Sequence, residues 1–214
     1  MAKYNLIMDT TTLISDNMRA QNTLLHKKRS FGDGGRTEFK AMVKVIAEHE
    51  IDSVIDYGCG KGTLGVRFRL AQEKHRMDRL ANIEDARCFC CGQVLPTKPT
   101  VIDNVTWQDY DPAIEKVSRL PKPADLVMCR DVLEHVEPEL LDNVFEHIHS
   151  LANKAVYLVI PRNASTVTLP DGRNSHLTQQ KAKWWIKRFS KWFTPAEEMN
   201  GYKDIRGVFL PKEK

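Results

Sequence analysis

The chain has 214 residues, of which 28% are charged and 42% hydrophobic, and a formal net charge of +4. This length fits one well-packed domain, and the composition is that of an ordinary soluble protein. No apolar run approaches the length that a bilayer span requires, and the first residues lack a signal-peptide profile, so we expect a cytoplasmic protein. The five cysteines are an odd number, which indicates reduced thiols.

Helices and strands alternate along the predicted chain. Helical spacing covers 15–28 and 38–49, with the glycine-rich "FGDGG" between them. "SVIDY" is a short buried strand, and a helix follows over about 63–74. Further strands are predicted at "VTWQDY", "ADLVMCR", "AVYLVI" and "DIRGVFL", and further helices at "PELLDNVFEHIHSLA" and "LTQQKAKWWIKRFSKWF". This alternation predicts an α/β fold, with a parallel sheet and helices on both faces.

The stretch "VIDYGCGKGTL" places Gly58, Gly60 and Gly62 at every second position after a strand that ends near Asp56. Glycines let a ligand approach the main chain, and the helix that follows presents its free N–H groups at the same place. Ligands of parallel α/β sheets lie at the carboxyl ends of the strands. The loop is therefore a candidate binding site, although a tight turn alone also needs glycine.

Three ordered motifs resemble class I S-adenosylmethionine-dependent methyltransferases: "VIDYGCGKGTL", "QDYDPAI" and "ADLVMCRDVLEHVEPELLDNVFEHI". The resemblance spans roughly residues 40 to 160. It implies a Rossmann-like sheet in a single methyltransferase domain over 1–214, with a helical N-terminal segment over about 1–37. A nicotinamide-binding turn would need its third glycine at Thr63, so the observed spacing disfavours an oxidoreductase.

The resemblance also implies a set of residues that bind the methyl donor. Asp56 and the loop amides would hold the ammonium and carboxylate of S-adenosylmethionine. Asp109 would accept its ribose hydroxyls, with Asp111 as the second candidate; alternatively, both acids only shape the turn before Pro112. The complete expected set is Asp56, Gly58, Cys59, Gly60, Gly62, Asp109, Asp111, Arg130 and Asp131.

The sequence departs from the family pattern in two places. Only "EKVSRLPKP" separates two of the motifs, so the usual third strand is expected to be short or absent. Conversely, about 78–103 is an insertion that contains "CFCCG". Cys88 and Cys91 have the spacing of half a zinc site, for which Cys90 and His75 are the nearby additional ligands. The alternative, which we favour, is a plain surface loop. Cys59 and Cys129 are predicted to be small buried side chains.

The acceptor side follows the strand "ADLVMCR". Glu134 and His135 in "DVLEH", together with His176 in "DGRNSHL", are the candidate catalytic residues. A histidine there can serve as a general base. With Asp131, the same residues are also similar to the shell of metal-dependent 2′-O-methyltransferases that act on RNA termini, which would bind magnesium or manganese. A third interpretation gives Glu134 only a helix-capping role. His147 and His149, on the next helix, are expected at the surface.

The segment "KAKWWIKRFSKWF" combines lysines with aromatic residues. Our preferred interpretation is a helix that packs its aromatic side on the sheet; a nucleic-acid surface with Trp184 and a membrane-surface helix are the alternatives. The sequence thus predicts a methyltransferase that acts on an oxygen or nitrogen of a small-molecule, sugar or nucleic-acid acceptor. A non-catalytic binding protein of the same fold is the alternative from another class.

Overall fold

A computed structural model describes residues 12–28, 31–32, 38–80, 101–196 and 204–214, without the side chains of 78–80. The helices are α1 (Asp16–His26), α2 (Phe39–Glu48), α3 (Thr63–Leu80), α4 (Leu141–Leu151) and α5 (Ala182–Phe189). The strands are β1 (Ser53–Tyr57), β2 (Thr106–Tyr110), β3 (Ala124–Arg130), β4 (Ala152–Pro161), β5 (Phe193–Pro195) and β6 (Asp204–Pro211).

The strands form one sheet in the order β2-β1-β3-β4-β6-β5. Strands β1 to β4 are parallel, as predicted, whereas β6 runs antiparallel to both β4 and β5. The predicted parallel sheet is therefore confirmed for β1 to β4, and β6 and β5 extend it in antiparallel pairing. Only residues 196–203 separate β5 from β6, and a parallel connection needs a dozen residues or more.

Helices cover both faces of the sheet, which confirms the predicted Rossmann-like architecture. On one face, α2 and α3 pack against alternate strand residues such as Val54, Leu126 and Met128. On the other face, α4 and α5 cover the intervening residues, including Ile55 and Val127. The middle of β3 is fully buried because helices lie on both sides of it.

The connection between β2 and β3 contains one short 3₁₀ helix, Glu115–Val117, and no strand over residues 111–123. Within the described residues, β2 is therefore the edge of the sheet. This arrangement agrees with the prediction that the third strand of the family pattern is missing. At the start of the insertion, α3 continues to Leu80, six residues past the predicted end.

Helix α5 is shorter than its aromatic pattern predicted. It begins at Ala182, because the preceding segment is extended and Thr178 donates its backbone N–H to the carbonyl of Glu134 at 3.0 Å. It ends at Phe189, and Phe193 lies in β5 instead. Similarly, α4 begins at Leu141 rather than at Pro138. For α5, the hydrogen bond of Thr178 and the pairing of β5 with β6 thus set the ends more strongly than local helix propensity does.

The buried polar residues include one that the sequence placed at the surface. His147 is 4% exposed, and its Nδ1 lies 2.9 Å from the hydroxyl of Tyr57, so the surface prediction is wrong for this residue. Cys59 and Cys129 are buried and free, as predicted. None of the described helices combines the length and apolar character that spanning a membrane requires.

Candidate functional site

A cavity of about 350 Å³ opens at the carboxyl ends of β1, β2 and β3. This volume lies in the range of small-ligand sites. The end of β1, the glycine loop and the residues that follow β2 and β3 form most of its wall, and the N-terminal segment forms the rest. Of the predicted site residues, those that line the cavity are Gly58, Cys59, Gly60, Asp111, Arg130, Asp131 and His135.

The glycine loop is in the conformation that its sequence predicted. Gly58, Gly60 and Gly62 all have positive φ angles, of 74°, 55° and 67°. A Cβ on Gly58 would lie 2.3 Å from Cγ2 of Val132, and one on Gly60 would lie 2.8 Å from the carbonyl oxygen of Gly32. In this structure, other parts of the chain lie close to the loop, so glycine is needed for packing as well as for access to the cavity.

The two acids after β2 have different surroundings. Asp111 lines the cavity; its Oδ1 accepts the N–H of Ala113 at 2.9 Å, and its Oδ2 accepts the N–H of Gly60 at 3.1 Å. Asp109 does not line the cavity. Its carboxylate accepts hydrogen bonds from Arg69 at 3.2 Å and from the indole of Trp107 at 2.8 Å. A carboxylate oxygen can accept two hydrogen bonds, so both oxygens of Asp111 retain capacity toward the cavity.

Three charged residues lie at the ends of β1 and β3. Asp56 is buried behind the cavity wall, and burial raises its pKa to about 7. Arg130 lines the cavity and donates from Nη1 to Oδ2 of Asp131 at 2.7 Å. Asp131 has a φ angle of 54°, which is unusual for a residue with a side chain, and burial raises its pKa against the opposing charge of Arg130. Strained backbone of this kind is concentrated at functional sites.

The N-terminal segment contributes side chains that the sequence motifs did not indicate. His26, the last residue of α1, places its Nε2 at 3.8 Å from Oδ2 of Asp111 and packs edge-on against Phe31. Phe31 in turn lies 6.2 Å, between ring centroids, from His135. The N–H of Lys61 donates to the carbonyl of Gly32, which holds this segment on the glycine loop. No motif precedes the first strand, so only the tertiary structure brings these residues to the site.

The three residues Glu134, His135 and His176 form a compact cluster beside the cavity. Their ligand atoms all lie within 4.8 Å of one another, and Nε2 of each histidine is 3.8 Å from Oε1 of Glu134. Glu134 is completely buried, and neither of its carboxylate oxygens has a hydrogen-bond partner in the part of the chain that is described. Asp131, predicted as a fourth member, lies outside this cluster and contacts Arg130 instead.

The hydrogen bonds of the two histidines determine which nitrogen carries the proton. Nδ1 of His135 lies 2.7 Å from the carbonyl of Ser175, and Nδ1 of His176 lies 2.6 Å from the carbonyl of Asn163. Because a carbonyl only accepts, each Nδ1 must donate, which leaves Nε2 of each ring to face the cluster. Burial, assisted by His176, lowers the pKa of His135 to about 4. Burial raises the pKa of Glu134 well above its usual value.

The loop that carries His176 is shaped by a single asparagine. Oδ1 of Asn174 accepts the N–H groups of Ser165 at 3.0 Å and of His176 at 2.9 Å, while its amide donates to the carbonyl of Ser165. The turn is completed by Gly172, whose φ angle is 89°. The residues of "DGRN" are typical turn formers, so the sequence carries a local signal for this loop.

The structure tests the proposed zinc site only in part. Cys88, Cys90 and Cys91 lie outside the described residues. His75 is buried on α3, with its Nδ1 at 3.8 Å from Oδ1 of Asp103. With its possible cysteine partners outside the described residues, the zinc prediction stays a prediction.

The aromatic segment packs as the preferred interpretation predicted. Trp185, Phe189 and Trp192 are buried, with Phe145 of α4 in contact with all three. Trp184 is half-buried against the same cluster, and the guanidinium of Arg188 lies 5.2 Å from its ring centroid. The aromatic side chains therefore serve the hydrophobic core.

Comparison with known proteins identifies the family. The family model described as "Methyltransferase domain" matches residues 24–200. A structure of the 1,6-didemethyltoxoflavin-N1-methyltransferase of Burkholderia thailandensis, with S-adenosylhomocysteine bound, superposes with a TM-score of 0.57 at 11% identity, over 92% of this chain and 88% of that one. The structure of the N-methyltransferase NodS of Bradyrhizobium japonicum, also with S-adenosylhomocysteine bound, superposes with a TM-score of 0.50 at 10% identity. The superposition covers 92% of this chain and 100% of NodS.

The magnesium protoporphyrin IX methyltransferase of Synechocystis, with S-adenosylmethionine bound, gives a TM-score of 0.47 at 19% identity, over 94% of both chains. No curated protein sequence matches this chain. The family model covers most of the sequence, from the end of α1 to beyond β5, and includes the glycine loop and the histidine cluster. The chain therefore belongs to the methyltransferase domain family.

Proposed function

We propose that this protein transfers the methyl group of S-adenosylmethionine to an oxygen or nitrogen of a small acceptor or a nucleic acid. The observation that carries this proposal is the cavity, which is lined by the glycine loop, Asp111, Arg130 and His135 together. A donor at the loop and an acceptor beside His135 would lie in the same cavity. Holding both partners in line for displacement supplies much of the rate enhancement in such reactions.

On the donor side, we assign the ribose to Asp111 rather than to Asp109. Both oxygens of Asp111 have an unused acceptor position near the cavity, whereas the carboxylate of Asp109 is held by Arg69 and Trp107. Arg130 provides a cation at the cavity wall for the donor carboxylate. Gly58 and Gly60 also line the cavity, and because they carry no side chain a donor can approach the loop backbone there.

On the acceptor side, the geometry favours a divalent cation over a simple histidine base. A general base works best with a pKa near the operating pH, and the pKa of His135 is lowered to about 4. The ligand atoms of the three residues converge within 4.8 Å, and neither oxygen of Glu134 is hydrogen-bonded among the described residues, so all three can face one cation. Two imidazoles and one carboxylate fit a first-row divalent metal such as manganese.

In this arrangement, Glu134, His135 and His176 would hold the metal, and the carbonyls of Ser175 and Asn163 would orient the two rings. A divalent cation there would lower the pKa of a bound acceptor hydroxyl and so favour its deprotonation. The second candidate function, 2′-O-methylation of RNA termini, is compatible with this cluster, which contains three of the four residues of the predicted metal shell; the fourth, Asp131, contacts Arg130 instead. The cluster does not select RNA over other hydroxyl-bearing acceptors.

The proposal is tested by separating donor binding from metal binding. Calorimetry with S-adenosylhomocysteine should show binding that is unchanged by a chelator, since the donor residues do not overlap with the cluster. Labelled methyl transfer to panels of metabolites, sugars and RNA termini should stop with the chelator and return with manganese. The metal-free protein should also bind manganese directly, as measured by calorimetry.

Two variants test whether manganese binds at the cluster rather than at another acidic residue. Glu134→Gln should abolish manganese binding, whereas Glu146→Gln, on the exposed face of α4, should leave it unchanged. Full methyl transfer in the presence of chelator would contradict the metal assignment while leaving the methyltransferase assignment intact. A protein that does not bind S-adenosylhomocysteine would contradict the proposed function itself.

A further inference from the structure

We infer that His26, at the end of α1, is a second ligand of the donor ribose and acts together with Asp111. This inference rests on the proposed function and adds to it a residue from outside the sheet. His26 lines the cavity, and its Nε2 lies 3.8 Å from Oδ2 of Asp111. That separation is too long for a hydrogen bond between the two side chains, but a hydroxyl oxygen placed beside both can reach each of them.

The protonation of the two groups suits a shared hydroxyl. Burial lowers the pKa of His26, so its ring is neutral near pH 7, and one nitrogen carries a proton. A ribose hydroxyl that donates its proton to Oδ2 of Asp111 can then accept one from Nε2 of His26. The second ribose hydroxyl would donate to Oδ1 of Asp111, which already accepts the N–H of Ala113.

The position of His26 is fixed by contacts with Phe31 and Gly32. Its ring packs edge-on against Phe31, with 5.0 Å between ring centroids. Gly32 packs so closely on the ring that a Cβ there would lie 2.6 Å from Nδ1 of His26. The carbonyl of Gly32 accepts the N–H of Lys61, so the same short segment is attached to the glycine loop. The ring is therefore held over the cavity rather than free to turn to solvent.

Nδ1 of His26 is buried, with no hydrogen-bond partner among the residues that the structure describes. When a histidine is buried for structural reasons alone, both of its ring nitrogens normally form hydrogen bonds. Among the described residues, Phe31 and Gly32 pack on the ring, and Gly32 lies on the Nδ1 side. Nε2 is the nitrogen directed toward Asp111, with no hydrogen bond to it, and is therefore the one available to a hydroxyl bound beside that carboxylate.

The experiment compares S-adenosylhomocysteine with its 2′-deoxy and 3′-deoxy analogues, by calorimetry on the parent and on His26→Phe. Phenylalanine keeps the ring packing and removes the hydrogen-bond donor. We expect His26→Phe to weaken S-adenosylhomocysteine roughly 3- to 10-fold, as one hydrogen bond implies. One of the two analogues should bind the parent and His26→Phe equally well, because the hydroxyl that His26 contacts is missing from that analogue.

Two further variants serve as controls. His26→Gln can place an amide nitrogen near the position of Nε2 and should recover most of the affinity. His49→Phe should have no effect, because this residue precedes β1 and so lies near the amino ends of the strands, away from the cavity. Thermal unfolding of each variant establishes that it is folded.

The possible outcomes separate this inference from the proposed function. If the parent binds S-adenosylhomocysteine but His26→Phe loses the same factor for all three ligands, or loses nothing, the role of His26 is overturned and the donor assignment stands. If the parent binds none of the ligands, the donor assignment fails and this inference fails with it.

Discussion

The two acids after β2 allow a matched test of the donor site. In Asp111→Asn, one oxygen remains an acceptor, and the new amide group must face either Ala113 or Gly60, both of which donate N–H groups to the native carboxylate. At least one hydrogen bond from a ribose hydroxyl to a charged oxygen is lost, which is worth about 1.5–3 kcal/mol. Donor affinity should therefore fall about 10- to 150-fold.

The control is Asp109→Asn, which removes a charge of the same kind two residues earlier. Its partner, Arg69, has a side chain that is 48% exposed, so their ion pair contributes only about 0–1 kcal/mol to stability. We expect donor affinity to be unchanged. The assay is calorimetric titration with S-adenosylhomocysteine at a temperature where urea unfolding shows both variants to be folded. A large loss in Asp109→Asn together with normal binding in Asp111→Asn would refute the assignment and restore Asp109.

Three other outcomes are expected. Gly60→Val should abolish donor binding in calorimetry, because a branched side chain at a φ of 55° is strained and meets the carbonyl of Gly32; unchanged affinity would contradict the loop's role. Burial lowers the pKa of His147 to about 4 from its usual 6.5, so protonation of this ring should by itself remove about 2 kcal/mol of unfolding free energy as the pH falls from 7 to 5. In His147→Gln, the unfolding free energy measured with urea should fall less over the same pH range. If it falls as steeply as in the parent, burial of this ring is not the cause of the pH dependence. If Cys88 and Cys91 hold zinc, elemental analysis should find about one ion per chain; a metal-free protein with freely titrating thiols would support the surface loop.

The predicted strands and helices correspond closely to the folded chain where the local pattern is strong. A β-branched run followed by Gly58 and Gly60 has few alternatives to a strand and a tight loop, and the burial of β1 and β3 between two helical layers follows from their lack of alternation. These features depend on contacts between neighbours in sequence, so the sequence determines them directly.

The direction of β6 and the ends of α5 could not be obtained in this way. An aromatic run such as that around Phe193 suits a helix or a strand equally well, and its pairing with β6 is what decides between them. His147 was misplaced for a similar reason, because its burial depends on Tyr57, ninety positions earlier in the chain. Long-range partners of this kind leave no local periodicity.

The residue types at the site could be read from the sequence, but their mutual positions required the tertiary structure. The motifs indicated that Asp109 and Asp111 lie near the donor and that Glu134, His135 and His176 lie near the acceptor. Only the folded chain distinguishes an acid held by Arg69 from one that faces the cavity, and only it brings His26 from α1 against Asp111. The order of strands and loops in the sequence determines which residues lie at the carboxyl ends of the strands. The packing of loops from distant parts of the chain determines where each of their side chains points.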